Sequence, residues 1–224
     1  MNLQIRIDLE KVLAGPGPVE VELGCGARRE SFAESGRIGI DMVDLENVDI
    51  VADLEQGLAF LPDKSVDVIH ARSLLEHINN FELLLTEILR VLKDAGRARI
   101  LVPHFSNPYH YSDPTHVRFF GLYSFYYFVR PERQPARKVP VFYTAARLKV
   151  FSLKLVFKSP FKGRRRVKKL WQKLFNRSAA WQEFYEENLC WIVPCYGIRL
   201  EFGPDRDPET DGEIAGESSG AGRP

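Results

Sequence analysis

A glycine turn and two acidic residues are the first candidates for a ligand-binding site. Gly24-Cys25-Gly26 follows the run 19–23, in which valine and leucine alternate with glutamate. Glycines after a strand let the backbone approach a ligand closely. Asp41 and Asp53 end the next two strand-like runs, where a carboxylate can accept hydrogen bonds from both hydroxyls of a ribose. This pattern predicts a nucleoside site, although the two glycines could also serve only to close a tight turn.

A second group of candidates combines three histidines with a carboxylate. His104, His110, Asp113 and His116 lie close together in the chain, directly after the strand-like run 97–102. A histidine that is oriented by a carboxylate is suited to removing a proton from an oxygen or an amine. The group could therefore supply a general base, or form a lid that bonds only the backbone, or bind zinc or iron. The spacing matches no standard short metal pattern, so no metal is predicted.

Alternating apolar patterns indicate the elements that would position these residues. The first hundred residues alternate short apolar runs with helical stretches, which is typical of a parallel sheet covered by helices. Two further strands are predicted nearer the end of the sequence. The seven predicted strands are 19–23, 37–41, 48–52, 66–71, 97–102, 149–157 and 196–202.

Two helices are predicted from apolar residues at helical spacing. One covers 81–92, with Asn79 and Glu82 as its cap and Gly96 as its stop. The other covers 167–175, and its apolar stripe lies opposite a strongly basic face. This second pattern fits either a helix at a membrane interface or a helix that packs on the sheet.

The net charge of +1 hides a strong separation of charge along the chain. Residues 130–177 contain 16 Lys and Arg and a single acid, Glu132. Such a basic block is expected to attract a polyanion, either nucleic acid or an acidic membrane surface, unless it is only a solvated face. Residues 203–224 are acidic and rich in Gly, Pro and Ser, which predicts a disordered tail.

Composition limits the expected location of the protein. No stretch of 18 apolar residues is present, and the first residues do not have the pattern of a signal peptide. Three cysteines, Cys25, Cys190 and Cys195, form neither a disulfide framework nor a Cys-x-x-Cys zinc motif. We therefore expect a cytoplasmic protein, either free or bound at the periphery of a membrane.

The sequence resembles the class I S-adenosylmethionine-dependent methyltransferases, in the methyltransferase-11-like branch. Glu22-Leu23-Gly24-Cys25-Gly26 looks like their first motif, and Gly39-Ile40-Asp41 looks like their second. The run 61–77, continued by 87–96, is similar to their fourth strand and the helix after it. Asp-Pro-Thr-His-Val-Arg-Phe-Phe at 113–120 resembles a subgroup of bacterial and archaeal methyltransferases. Arg28 departs from the family, because a third glycine is frequent at that position.

The resemblance implies a fold, a cofactor and the residues that bind it. The implied fold is a Rossmann-like α/β sheet of seven strands, mostly parallel, with helices on both faces and an antiparallel last strand. The implied cofactor is S-adenosylmethionine, and Glu22, Gly24 and Gly26 would surround its methionine part, Asp41 its ribose and Asp53 its adenine. Four further candidate cofactor contacts lie at or beside these positions: Cys25, Met42, Leu54 and His70.

The resemblance also places the loop after the fifth strand over the transferable methyl group. His104, Asp113 and His116 are therefore the predicted catalytic residues. The predicted domain spans 1–202, with a substrate lid at 104–147 and a basic helical segment at 159–190.

The expected reaction is methyl transfer to an oxygen or nitrogen of a small molecule or of a glycan or lipid precursor. One alternative is an RNA methyltransferase that uses the basic block, and another is an inactive module that binds S-adenosylmethionine and docks to an anionic surface. DNA is not expected as a partner. Ala71-Arg72-Ser73-Leu74 stands where amino-methyltransferases of DNA have an Asn/Asp-Pro-Pro-aromatic motif.

Overall fold

The fold is built on one eight-stranded sheet in the computed structural model, which describes residues 3–27, 32–159 and 161–206. Across the sheet the strands follow the order β1-β4-β3-β2-β5-β6-β8-β7. Neighbours from β4 through β6 are parallel, whereas β1 is antiparallel to β4, and β8 is antiparallel to both β6 and β7. The strands are β1 (Gln4–Ile5), β2 (Glu20–Leu23), β3 (Arg37–Asp41), β4 (Ile50–Val51), β5 (Val66–Arg72), β6 (Leu92–Pro103), β7 (Leu148–Val156) and β8 (Gly197–Pro204).

The mostly parallel α/β sheet with an antiparallel last strand is confirmed, and the strand count is eight rather than seven. The additional strand is β1, whose two residues are too few to show an alternating pattern. The chain proceeds outward from β2 through β3 to β4 and then returns to place β5 on the other side of β2. Ligands bind to open α/β sheets at such a reversal, outside the carboxyl ends of the strands.

Five helices accompany the sheet within the described residues. They are α1 (Leu9–Leu13), α2 (Phe32–Ser35), α3 (Phe81–Val91), α4 (Arg165–Phe175) and α5 (Ala179–Asn188). No helix in this part of the chain is long and apolar enough to cross a membrane.

The ends of α3 differ from the predicted cap and stop. The side chain of Asn80 makes no capping hydrogen bond. Instead, the carboxylate of Glu55 accepts the backbone N–H of Asn79 at 2.7 Å and that of Asn80 at 2.8 Å. The helix ends at Val91 rather than at Gly96, because the backbone of Leu92 is extended and leads directly into β6.

Much of the predicted lid at 104–147 is part of the hydrophobic core. Phe120, Phe125 and Phe128 are buried, and their rings lie 5.5–6.0 Å from one another or from Phe81 of α3. Burial of large aromatic side chains is strongly favourable, so this part of the segment stabilises the fold. Five residues between 107 and 116 line a cavity at the carboxyl ends of β5 and β6.

One face of the sheet carries a row of charged side chains. Over β5, β6 and β8, one face carries the exposed side chains of Arg72, Arg99 and Arg199. Arg99 lies between His70 and Glu201 in the strand register. Over this part of the sheet, these charged side chains form a polar surface.

The structured domain extends beyond the predicted boundary at residue 202. Gly203 and Pro204 belong to β8, and the carboxylate of Asp205 is buried and pairs with Arg130 and Arg133. Arg206 donates hydrogen bonds to carbonyl oxygens at the end of α3 and the start of β6. The rest of the predicted tail, 207–224, lies outside the described residues.

Candidate active site

The glycine turn has the backbone conformation that its sequence predicts. Gly24 and Gly26 both have positive φ angles, +65° and +60°. A Cβ atom at Gly24 would lie 3.0 Å from Cδ1 of Leu74, whereas none of the described residues comes within 4 Å of a Cβ atom at Gly26. The N–H groups of Gly24 and Cys25 donate to the carbonyl oxygen of Ile40, which holds the turn beside the end of β3.

Asp41 connects the glycine turn to the loop after β3. Its Oδ2 accepts the N–H of Gly26 at 2.9 Å, and its Oδ1 accepts the N–H of Val43 at 2.9 Å. Each carboxylate oxygen retains a further lone pair that can accept a hydrogen bond from a ligand hydroxyl. Met42 lies next to it with 54% of its surface exposed, so this apolar side chain is available to a ligand at the same edge.

Of the other candidate cofactor contacts near the turn, one side chain is accessible and two are buried. Asp53 is half-buried on the next loop, where its carboxylate accepts the N–H of Glu55 at 3.0 Å. Leu54 is buried in the main core, and Cys25 is buried against Val48 and Val51. The side chains of Cys25 and Leu54 pack inside the protein, so only the backbones of these two residues are placed to contact a cofactor, and that contact remains a prediction.

Glu22 and His70 are engaged on the polar surface of the sheet. Oε2 of Glu22 lies 3.3 Å from Nη1 of Arg37, and Nε2 of His70 lies 3.1 Å from Oε2 of Glu20. Burial and the charge of Arg37 lower the pKa of His70. Both side chains already have partners on this surface, and their contacts with a cofactor remain predictions.

The two glycines of the turn are expected to differ in their tolerance of a side chain. Gly24→Ala and Gly26→Ala both impose backbone strain of about 1 kcal/mol, but Gly24→Ala also forces Leu74 to move. We expect Gly24→Ala to lower the free energy of unfolding by about 2–3 kcal/mol and Gly26→Ala by about 1 kcal/mol. Urea unfolding followed by tryptophan fluorescence measures both, and equal losses would contradict the close contact at Gly24.

A cavity of about 590 Å³ opens beside this turn, at the carboxyl ends of β5 and β6. Ser73 forms part of its wall, while the next residue, Leu74, packs against Gly24. The cavity and the glycine turn are therefore separated by a single segment of chain. Other residues that line the cavity include Arg72, Tyr109, Asp113, His116 and Tyr196.

His104 is a buried structural residue and does not line the cavity. Its side chain is fully buried, with Nδ1 at 2.8 Å from Oγ of Ser106 and Nε2 at 3.1 Å from Oε2 of Glu186. A general base needs a nitrogen that its substrate can reach. This corrects the prediction of a catalytic His104, whose bonds instead join the loop after β6 to α5.

His116 lines the cavity with one ring nitrogen, Nε2, that has no hydrogen bond among the described residues. Its Nδ1 lies 2.9 Å from the carbonyl oxygen of His110 and donates its proton to that oxygen. Nε2 lies 3.7 Å from Oδ2 of Asp113. The carbonyl, rather than the predicted carboxylate, orients the ring. In the neutral ring, Nε2 has the lone pair with which a histidine takes a proton from a bound ligand or binds a metal ion.

Glu76 and His77 also line the cavity, although they are not among the predicted site residues. Burial raises the pKa of Glu76 to about 7, and the charge of Asp113 adds to this effect. Nδ1 of His77 lies 2.9 Å from Oγ1 of Thr115, which connects the turn after β5 to the loop after β6. The available signal in the sequence was an acid-histidine pair shortly after the carboxyl end of a predicted strand.

The part of the chain that holds the glycine turn is similar to a known protein family. Residues 21–100 match the methyltransferase domain family. This methyltransferase match includes the glycine turn, Asp41, Asp53 and the Glu76-His77 pair, but it ends before the loop that carries Asp113 and His116. A search of curated proteins finds no match to the chain.

Solved structures with a similar fold include proteins from bacteria, archaea and animals. The YcgJ protein from Bacillus subtilis superposes with a TM-score of 0.50 at 18% identity, covering 88% of this chain and 97% of that protein. A SAM-dependent methyltransferase from Archaeoglobus fulgidus gives a TM-score of 0.47 at 16% identity, over 83% and 86% of the two chains. Phosphoethanolamine N-methyltransferase 2 from Haemonchus contortus, in complex with S-adenosyl-L-methionine, gives 0.46 at 15% identity, over 88% and 51%. At these identities the similarity concerns the fold alone.

Proposed function

We propose that this chain binds S-adenosylmethionine at the glycine turn and transfers its methyl group to an oxygen or nitrogen in the adjacent cavity. The observation that carries this proposal is the arrangement of the turn, Asp41 and the cavity around one segment, Ser73-Leu74. The residues fit the cofactor, because Gly26 faces open space among the described residues and Asp41 keeps acceptor capacity for hydroxyl groups. Arg28, which departs from the family pattern, lies outside the described residues.

Each residue at the edge has a defined task in this proposal. When bound, S-adenosylmethionine supplies a methyl group on a positively charged sulfur. Gly24 and Gly26 let the backbone approach the methionine part, Asp41 accepts hydrogen bonds from the ribose, and Asp53 is placed for the adenine. On the other side of the Ser73-Leu74 segment, His116 orients and activates the acceptor through Nε2, and Tyr109 helps to exclude water.

A basic groove next to the cavity favours an acceptor that carries a negative charge. Lys158 and Ser159 line both the cavity and a second one of about 790 Å³. The other basic residues of this groove are Lys154, Arg165, Lys168, Lys169, Lys173 and Arg199. Because such a groove attracts phosphate and carboxylate groups, we propose as acceptor an anionic small molecule or a glycan or lipid precursor.

The most direct test of this function is transfer of a labelled methyl group. We expect the protein, supplied with methyl-labelled S-adenosylmethionine, to label an anionic small-molecule, lipid or glycan fraction. His116→Ala is expected to lower the labelling about 100-fold or more without changing cofactor affinity, since acceptor activation contributes 10²–10⁴-fold. Label that enters only RNA would support the alternative of an RNA methyltransferase, and cofactor binding without any transfer would support an inactive binding module.

Helix α4 has features of a helix that contacts an acidic membrane surface. Phe175 is buried and Trp171 packs on the core, so one end of its apolar stripe serves the fold. Val167 and Leu170 are 51% and 62% exposed, and they lie among basic residues. Exposed apolar side chains beside basic residues favour peripheral contact with anionic lipid, and we propose this contact as the role of the basic block.

Neutralising two arginines of α4 should weaken binding to anionic vesicles. Each basic residue near an anionic lipid surface contributes about 1 kcal/mol to binding. The double variant with Arg165→Gln and Arg166→Gln is therefore expected to lower the affinity for phosphatidylserine vesicles roughly 30-fold. Lys11→Gln with Lys64→Gln removes the same charge elsewhere on the surface and serves as the matched control. Sedimentation with vesicles measures the affinities. Equal losses in the two variants, or binding to an RNA hairpin but not to vesicles, would contradict membrane contact.

A further inference from the structure

Three side chains in the wall of the cavity bring potential metal ligands together: Glu76, His77 and His116. One carboxylate oxygen and one ring nitrogen from each histidine lie within 4.8 Å of one another. Glu76 is 1% exposed, and its Oε2 has no hydrogen-bond partner among the described residues. A buried carboxylate oxygen without a partner is unfavourable, so this atom is suited to a cationic ligand.

The hydrogen bonds of both histidines engage Nδ1 and leave Nε2 of each ring without a hydrogen bond among the described residues. Thr115 donates its hydroxyl proton to Asp113 Oδ1 at 2.6 Å, so its Oγ1 accepts the proton of His77 Nδ1. Nδ1 of His116 donates to the carbonyl oxygen of His110 in the same way. In the neutral rings, the two Nε2 atoms therefore have the lone pairs that a metal ion needs. Metal-binding histidines commonly donate their other ring nitrogen to such a partner.

The two loops that supply these ligands are held together by their backbones. The carbonyl oxygen of Glu76 accepts the N–H groups of Val117 at 2.9 Å and Arg118 at 3.2 Å. The rings of His77 and His116 meet edge to face, with centroids 4.7 Å apart. A metal ion with bonds of about 2.0–2.2 Å would require each ligand atom to move inward by roughly 1 Å or less.

We propose that Glu76, His77 and His116 bind a divalent transition-metal ion, with Zn²⁺ as the reference case. Two imidazoles and one carboxylate are a ligand set for Zn²⁺ and for non-haem Fe²⁺, and three protein ligands leave a position open. Asp113 adds a negative charge near the ion. The role of the ion rests on the proposed function and changes the task of His116 within it. With Nε2 of His116 bound to the ion, the ion rather than the imidazole activates the acceptor: it holds an oxygen of the acceptor at the open position and favours loss of its proton to water.

The test is calorimetric titration of the full chain, without a histidine tag and after removal of metal by a chelator, with Zn²⁺. We expect one equivalent to bind, and His77→Ala, His116→Ala and Glu76→Gln each to lower the affinity at least about 100-fold. Thr115→Val should lower it about 10–100-fold, as removal of a partner that orients a ligand does, while Thr115→Ser should restore it. Cobalt(II) absorption spectra of the same variants report the ligand set independently.

His70→Ala is the matched control, since His70 is a half-buried histidine on the polar surface of the sheet. Absence of stoichiometric Zn²⁺ binding, or equal losses in His70→Ala and His116→Ala, would overturn the proposal. Titration of the same preparation with S-adenosylhomocysteine separates the two proposals. Protein that binds S-adenosylhomocysteine but no Zn²⁺ contradicts only the metal site, and protein that binds Zn²⁺ but no S-adenosylhomocysteine contradicts only the proposed function.

Discussion

Asp41→Ala is expected to lower the affinity for S-adenosylhomocysteine about 100-fold or more. Hydrogen bonds to a charged group contribute about 1.5–3 kcal/mol each, and this carboxylate is placed to accept two from a ribose. The substitution also removes the bonds that join Gly26 to Val43, so the turn loses part of its support. Calorimetric titration of the variant and the wild-type protein measures the difference.

Glu46→Ala provides the control for Asp41→Ala. Glu46 is an exposed acid five residues further along the same loop, so its removal changes the net charge equally. We expect its affinity for S-adenosylhomocysteine to stay within about twofold of the wild type, because surface charges contribute little at this distance. Unchanged affinity in Asp41→Ala, with a normal unfolding transition, would remove Asp41 from the proposed cofactor site.

His104→Ala is expected to lower the free energy of unfolding by about 3 kcal/mol. The substitution leaves a buried space, and it leaves Glu186, a largely buried carboxylate, without its histidine partner. Leu122 still donates its N–H to Glu186 at 2.7 Å, which limits the loss. Urea unfolding followed by fluorescence measures the change.

His116→Ala is the comparison for His104→Ala, because both replace a histidine of the same loop. Loss of the His116 side chain leaves no buried charged partner, because Asp113 beside it is 44% exposed, so the free energy of unfolding is expected to fall by only about 1 kcal/mol. A stable His104→Ala protein with normal cofactor affinity and no methyl transfer would restore His104 as a catalytic residue.

The sheet and the glycine turn beside Asp41 could be predicted, because both depend on local sequence patterns. Alternating valine and glutamate before Gly24 predicts β2, and the positive φ angles of Gly24 and Gly26 follow from glycine at a strand-to-loop turn. Asp41 ends β3 as expected. Each of these predictions depends on a few consecutive residues, so no knowledge of distant contacts was needed.

The roles of the histidines could not be predicted, because they depend on contacts between distant segments. His104 is occupied by Glu186, which lies 82 residues further along the chain. His116 meets Glu76 and His77 only because the loop after β6 folds against the turn after β5. The spacing of histidines within one loop could show neither arrangement, and it led us to expect no metal site.

Binding of S-adenosylhomocysteine at the glycine turn can be measured by calorimetric titration of the wild-type protein. We expect one binding site of micromolar or tighter affinity, about −8 kcal/mol or more favourable, on a protein with a cooperative unfolding transition. A folded protein that does not bind at millimolar ligand would contradict a cofactor site at this turn. Asp41 and Asp53 would then be structural acids of a methyltransferase-like fold, and the basic block would be the main evidence of function.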